Sequence, residues 1–462
     1  MSMGRRKGGE QGSIWIEAGE LVQVEAQSFY RGLNDLLKWH EFDAFAEDLV
    51  ERSEVFKDGG RPSIPPGVYF RMLLLGYFEG LTAERAIAWK CEDSLSLREF
   101  LGYPLTKATP DHSTLSGLRR RLPREIHAEV FDWVLTVARE EGVLKGRKVA
   151  VDSTTLEANA AMRKIVRRVD GASYQKYLKR LAKAEGIKDP EQKDLSRMDR
   201  KRKGKKVSNK DWKSATDEDA RIARMKDGTT HMAYKAENAV DVPSGVIVAA
   251  QIHPADEGDQ QTIGRTLESA DASVIKAGIK LGIRESIADC GYHSEETLLG
   301  LQDDGYRTCI AEPKMKRRNW KRRARLLGEK AARARQAALY LNRARVRSPM
   351  GKKLQKKRSE IPERSFAHLC QTGGMRRVHV RGRDNVQKRY GLQAAAANLG
   401  IVMRKFFGFG TPRSLQGRPA AAINAIFSFL IALWRLLTAS GSHRMHSLED
   451  LATYPLAREL NA

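Results

Sequence analysis

Three acidic residues stand where a hydrolytic or phosphoryl-transfer site could be assembled. Asp152 closes the apolar run of VAVDSTT and Asp289 closes that of SIADCGY, so each carboxylate emerges at the end of a short strand. In open α/β sheets, sites gather outside the carboxyl ends of strands. Hard cations such as Mg2+ take oxygen ligands, usually one or two carboxylates together with water and substrate phosphates. Two such ions can stabilise both the attacking and the leaving oxygen of a phosphoryl transfer. That chemistry needs a third acid from a distant part of the chain. Glu363 could supply it from the start of a helix, because Pro362 suits a first helical turn. The residue types alone leave the choice open. An Asp after a strand is more often a turn or helix cap than a ligand, and Glu157, Asp241, Asp256, Asp259 and Glu360 are rival acids.

The elements that must position these acids read as follows. KVAVDSTTLEA is a β-branched strand, HMAYKAENAVDV and GVIVAAQIHP form a hairpin around Pro243-Ser244-Gly245, and ESIADCGY and YRTCIAEP are further strands. Helical patterns (DQQTIGRTLESADASVIKAG and SEETLLGLQDDG) separate the later strands, which indicates an α/β core with a mixed sheet. Residues 1–145 read as a helical domain for DNA binding or dimerisation. Within it lie a buried helix in PPGVYFRMLLLGYFEGL, a helix capped by Thr82 in TAERAIAWKCED, and one opened by Asp111 in DHSTLSGLRRRLP. Residues 146–410 read as the α/β domain that would carry these acids, with a charged, partly helical insertion at 160–228 and a basic helical segment at 314–358. Residues 411–462 are a helical tail, whose apolar stretch at 420–437 reads as a buried or docking helix because Asn424 and Arg435 interrupt it.

Composition narrows the partners. The 462 residues carry 82 Lys and Arg against 57 Asp and Glu, a formal charge of +25, which suits a dense polyanion such as DNA better than a membrane surface. Hydrophobic residues at 41% supply a globular core and exclude a disordered chain. The cysteines, Cys91, Cys290, Cys309 and Cys370, form no CxxC pair, so neither a zinc ribbon nor a disulfide framework is expected and a reducing cytoplasm fits. No secretion signal is read in the N-terminal residues. Arg119, Arg120 and Arg121 sit in the helical region, and Arg376, Arg377, Arg381 and Arg383 follow Gly373-Gly374; each group suits phosphate contacts or a solvated basic face. Trp212 and Trp320 lie in basic segments where they would stack on unpaired bases or anchor a helix.

Several blocks, in order, resemble those of DDE transposases of bacterial insertion sequences: VAVDSTTLEANA, YKAENAVDVPSGVIVAAQIHPADEGDQQT, IADCGYHSEE, PERSFAHLCQTGGMRRVHVRGRDNVQKRY and LQAAAANLG. GRPSIPPGVYFRMLLLGYFEGLTAERAI and FLGYPLTKATPDHSTLSGLRRRL are similar to the helical N-terminal domain of the same group, so the resemblance spans about residues 55–410. It implies an RNase H-like catalytic fold with Asp152, Asp289 and Glu363 holding Mg2+, for which Mn2+ substitutes. The implied reaction is cleavage at the element ends and joining of the freed 3′-hydroxyl to target DNA. The implied partners are double-stranded DNA, as terminal inverted repeats and target, and a second copy of the chain on the paired ends. No membrane and no small-molecule substrate are implied, and the location is the bacterial cytoplasm at the nucleoid. Arg358 fits a basic position common before the family's glutamate, and Arg364 flanks the acid. The Lys or Arg common seven residues beyond the glutamate is replaced here by Cys370. Gly291 would let the chain turn past the metal site, Tyr292 would pack rather than touch DNA, and His293 is not expected as a ligand of a hard metal. The alternatives are a related metal-dependent endonuclease without strand transfer and a non-catalytic DNA-binding derivative; an RNA or ribosomal partner is a third.

Overall fold

A computed structural model describes residues 25–56, 62–187, 189–202, 208–225, 228–314 and 318–415. The expected helix at 420–437 and most of the tail lie outside the described residues. Among the described residues, seven helices precede the first strand: α1 (Glu25–Trp39), α2 (Phe42–Arg52), α3 (Pro66–Glu79), α4 (Glu84–Asp93), α5 (Leu95–Leu101), α6 (His112–Arg121) and α7 (Arg124–Glu140). Helix α3 is apolar on every side and is accordingly buried along almost its whole length. Pro66 opens it, and Gly80, at φ +70°, closes it in the left-handed conformation. Asp111 caps α6 as expected, accepting from the backbone N–H groups of Ser113 and Thr114. The expected Thr82 cap is displaced: α4 starts after Ala83, which offers no side-chain cap, and Glu84 in its first turn spends its carboxylate on Arg119 instead.

The sheet contains β1 (Lys148–Glu157), β4 (Arg221–Arg224), β5 (Thr230–Asp241), β6 (Ile247–Pro254), β7 (Glu285–Ala288) and β8 (Arg307–Ile310), while β2 (Ile165–Arg167) and β3 (Trp212–Ser214) form a separate pair. Strand β5 lies antiparallel to β1 on one edge and to β6 and β4 on the other, and β7 and β8 extend the sheet parallel to β1. The order β6-β5-β1-β7-β8, three antiparallel strands followed by two parallel crossovers, is that of an RNase H-like sheet. The hairpin forms at the expected Pro243-Ser244-Gly245 turn, where Gly245 has φ +80°. Asp241 fixes that corner from a fully buried position by accepting from the N–H groups of Lys145 and Gly146 and from Ser244 Oγ.

Between β1 and β5 the charged insertion holds α8 (Tyr174–Ala184), α9 (Gln192–Lys201) and the β2–β3 pair. The two helices bury a small cluster of their own, Leu178, Ala182 and Leu195. After β6 come α10 (Asp259–Lys276), α11 (Glu295–Asp303), α12 (Trp320–Leu327), α13 (Glu329–Arg347), α14 (Pro349–Ala367) and α15 (Arg383–Phe407). Pro362 does not start a helix. Ser348 Oγ accepts from Gly351 N–H and Pro349 occupies the first turn, so α14 begins more than three turns earlier and carries Pro362 inside it. Glu363 therefore lies near the end of this helix, next to a π-helical stretch at His368–Thr372.

Helix α15 ties the two parts of the chain together. Asn398 binds both the N–H and the C=O of Ile247 on β6, each at 2.8 Å. Lys388 Nζ donates to the carbonyls of Arg119 and Leu122 at the end of α6, and Arg389 donates to that of Leu81. One hydrophobic cluster consequently runs from Phe29 to Leu415 across helices and sheet. The basic segment is anchored in the same manner: Asn342 on α13 binds the N–H and C=O of Ile310, and Glu312 accepts from Arg318 and Arg343.

These arginines hold the Glu312 carboxyl down at about 2, below the 4.5 of a free glutamate. A depressed folded-state value contributes stability above pH of about 4.5 that is lost as pH falls towards about 2. Denaturant unfolding measured from pH 6 to pH 2.5 is therefore expected to show wild type losing its advantage over Glu312→Gln across that window. A constant difference between the two would show that this ion pair does not stabilise the fold.

Candidate metal site and nucleic-acid interface

Asp152 is not at the end of its strand. It is half-buried in the middle of β1, opposite Asn238 of β5, and the strand continues to Glu157. The end that matters is that of the pairing with β7, which stops at Ala150↔Ile287. Two residues further along each strand, in unchanged register, stand Asp152 and Asp289. Asp289 caps the 3-10 turn at Cys290–Tyr292 by accepting from Gly291 N–H at 2.8 Å. Alternation along a strand sets the faces. Ala150 and Ile287 pack with Leu354 of α14, so Asp152, two residues on, belongs to the face that α14 covers. Asn238 agrees with this, because its Nδ2 donates to Ser365 Oγ on α14.

Helix α14 crosses that face obliquely. Gln355 near its middle donates to the carbonyls of Ala288 and Cys309, while Ser365 lies over β5. Leu354, Arg358, Pro362 and Ser365 form the stripe turned to the sheet. Ile361, Arg364 and His368 form the flank beside the β5–β6 turn, where they line a cavity with Val242 and Gly245. At about 100° per residue, Glu363 falls far from that stripe, on the side of the helix turned away from the sheet. Lys352, Lys356 and Ser359 share that side, and all four side chains are exposed. Glu360 lies on the outer side and pairs with Arg364. Among the described residues no group of three His, Cys, Asp or Glu stands close enough to hold a metal ion. The structure thus sets Asp152 and Asp289 just beyond the last paired residues of β1 and β7 and leaves Glu363 exposed on the outward side of α14. These three acids offer only carboxylate oxygens, the donor type that a hard divalent cation takes.

Behind the strand ends lies a buried polar network that sequence reasoning missed. Glu237 of β5 is wholly buried and accepts from Thr262, Thr266 and Tyr292. Lys235 Nζ reaches Asp259 at 2.6 Å, Thr262 at 2.8 Å and Glu237 at 3.6 Å, and Ser153 Oγ donates to Asp259 at 2.9 Å. Burial pushes the Glu237 carboxyl up, against its hydrogen bonds and Lys235, and burial next to Glu237 raises the Tyr292 hydroxyl well above its ordinary value. The signal was present: Lys and Glu two residues apart within an apolar strand point to the same face, where each compensates the other. Tyr292 packs, as expected. Gly291 is needed for a different reason from a left-handed turn: a Cβ there would lie 3.0 Å from Asp259 Oδ2 and 3.1 Å from Asp289 Oδ1. His293 is buried, and burial lowers its pKa.

The basic residues divide. Arg119 is turned inward, its Nε 2.6 Å from Glu84, and presents no charge at the surface; Arg120 and Arg121 are exposed. Arg358 is half-buried against the sheet, and Arg364 is exposed beside Glu360. Arg376, Arg377, Arg381 and Arg383 are all exposed on a segment held along the end of β1, where Glu157 N–H donates to Arg376 C=O and Arg381 Nε to Asn159 C=O. Trp212 does not offer a stacking surface: it is buried against Tyr174 and Tyr177. Trp320 packs edge-on to Tyr340 and under Arg323, which makes it a helix anchor. None of Cys91, Cys290, Cys309 and Cys370 forms a disulfide. No helix among the described residues is long and apolar enough to cross a membrane.

An RNase H-like sheet that carries acids just beyond its parallel seam is the architecture of polynucleotidyl transferases. Comparison with known families agrees: residues 145–399 match the transposase DDE domain, and residues 20–121 match the transposase domain family (DUF772). The chain belongs to the DDE transposases, enzymes of DNA transposition that act on DNA and depend on a divalent metal. No curated protein and no solved structure matches it.

If Tyr292 serves the network and not DNA, Tyr292→Phe should lower unfolding free energy by about 1–2 kcal/mol, the cost of removing one buried hydrogen bond. Its affinity for duplex DNA should be unchanged. Weakened DNA binding with unchanged stability would show that the ring is part of the interface.

Proposed function

We propose that this transposase binds the terminal inverted repeats of its element, cuts at the element ends and joins the freed 3′-hydroxyl to target DNA, using Asp152, Asp289 and Glu363 as its metal-holding acids. The observation that carries the reading is the common register of β1 and β7, which sets Asp152 and Asp289 next to each other just beyond the last paired residues. Mg2+, for which Mn2+ would substitute, supplies positive charge against the phosphate oxygens as charge develops there. Asp152 and Asp289 hold their oxygens on a rigid sheet edge, and Glu363 approaches from α14. Lys352 and Lys356, on the same outward side of α14 as Glu363, give the DNA backbone a basic surface on this helix. Arg376, Arg377, Arg381 and Arg383 extend this approach past the end of β1, and Arg120 and Arg121 offer charge on the helical region. Because catalysis is mostly positioning and charge stabilisation, no covalent protein intermediate is required. Two copies of the chain would act together, one on each end of the element. The helical region at 1–145, the catalytic region at 146–410 and the tail at 411–462 would serve as three functional parts of one chain.

Cleavage of labelled DNA carrying the terminal repeat, with Mg2+ or Mn2+, tests the acids. Asp152→Ala, Asp289→Ala and Glu363→Ala should each bind the DNA yet cut it at least about 100-fold more slowly, whereas Glu360→Ala should cut normally. Loss of cutting in Glu360→Ala with retention in Glu363→Ala would reassign the third acid. A wild-type protein that binds and never cuts would be a DNA-binding derivative, and one that cuts without joining would be an endonuclease.

The basic strip has its own signature. Replacing Arg376 and Arg377 together by Ala should weaken binding about equally for all sequences. It should also reduce the slope of log K against log salt by about 2, one for each phosphate left unneutralised. An unchanged slope would mean that these arginines form only a solvated face.

A further inference from the structure

We propose that Asp259, which is not one of the three acids assigned above, is a positioning residue for the metal site, bracing the strand of Asp152 against the turn of Asp289. The inference rests on the reading that Asp152 and Asp289 hold a divalent cation. Asp259 is the first residue of α10, where the aligned N–H groups of the helix favour a negative charge. Its two oxygens face different ways. Oδ1 accepts from Ser153 Oγ at 2.9 Å and takes the charge of Lys235, whose Nζ is 2.6 Å away and whose side chain is 7% exposed. Ser153 is the residue after Asp152, and its own N–H donates to Asp152 Oδ1 at 2.8 Å. Oδ2 faces Gly291, where an added Cβ would lie 3.0 Å from it and 3.1 Å from Asp289 Oδ1. The carboxylates of Asp259 and Asp289 therefore meet across a residue that has no side chain to part them.

Two consequences follow. Through Ser153, Asp259 fixes the backbone that carries Asp152, in the way that hydrogen-bonded outer groups orient metal ligands. Across Gly291 its charge lies close to that of Asp289, and like charges at that separation are relieved by a nearby cation. Lys235 offsets part of this charge at 2.6 Å while also facing Glu237 at 3.6 Å. The remaining charge of Asp259 and its hold on Ser153 raise the affinity of the strand ends for a cation without Asp259 itself holding it.

The test is direct Mn2+ binding to the full-length protein without DNA, read as loss of the free-ion electron paramagnetic resonance signal. Wild type is compared with Asp152→Asn, Asp259→Asn and Ser153→Ala. Asp259→Asn and Ser153→Ala are each expected to raise the Mn2+ dissociation constant about tenfold, the usual scale for removing an outer partner. Cleavage lost by Asp259→Asn at limiting metal should return when the metal is raised, which a merely structural lesion would not allow. Should Asp259→Asn fail to fold by circular dichroism, Ser153→Ala decides, because it keeps the Lys235–Asp259 ion pair. If both variants titrate like wild type while Asp152→Asn does not, the positioning role is wrong and the metal site stands. If Asp152→Asn also titrates like wild type, the metal site itself is misassigned and this inference falls with it.

Discussion

Strand β1 has two different neighbours, and the rest of the site depends on that asymmetry. Against β5 it pairs antiparallel along nearly its whole length, while against β7 it pairs parallel for only three residues before the two strands part. The long ladder makes β1 rigid past the point where its other edge opens, so Asp152 can be held firmly and still face a gap. Asp289 arrives at that gap in the same register and turns away through Gly291. A one-residue slip between β1 and β7 would send one of the two carboxylates to the opposite face. The apolar cluster of Ala150, Ile287, Cys309 and Leu354 resists such a slip, because these residues meet only in this register.

The two faces of the sheet then do different work. On one, α14 lies over β1 and carries Glu363 on its outward side, with its position set by Gln355 to two strand carbonyls and Ser365 to Asn238. On the other, α10 is joined to β1 and β5 by a dense network in which buried Lys235 and Glu237 share charge with half-buried Asp259. Removing one member of such a buried group strands the others, so the network constrains geometry whether or not it adds net stability. The consequence is a fixed pair of strand acids and a third acid on a separate helix whose approach DNA and metal can complete. The anchoring of α15 to β6 and to the end of α6 places the helical region and the sheet in one continuous core.

Much of this was legible in the residues. β-branched apolar runs marked the strands, the Pro-Ser-Gly turn marked the hairpin, and apolar density marked α3, because each of these depends on local pattern and burial. Asp152 and Asp289 were visible as acids ending apolar runs. What the pattern could not reveal was pairing. Asp152 reads as a strand end and is a strand middle, since only the β7 edge stops there. Pro362 misled for a related reason: a proline signals a helix start only where no earlier cap exists, and Ser348-Pro349 had already supplied one. Arg119, Trp212 and Lys235 show the same limit, since whether a basic or aromatic residue faces water or a buried partner is decided by distant parts of the chain, Glu84, Tyr177 and Glu237 among them.

The proposed site requires that, in the DNA-bound protein, one divalent cation come within reach of Asp152, Asp289 and Glu363 together. Loading the DNA-bound protein with Fe2+ and generating hydroxyl radicals at the ion cuts the backbone near its ligands. The account predicts three clusters of cuts, around residues 152, 289 and 363, all suppressed by excess Mg2+. Cuts at 152 and 289 without any near 363 would remove the helix acid from the site, and cuts confined to other segments would contradict the site altogether.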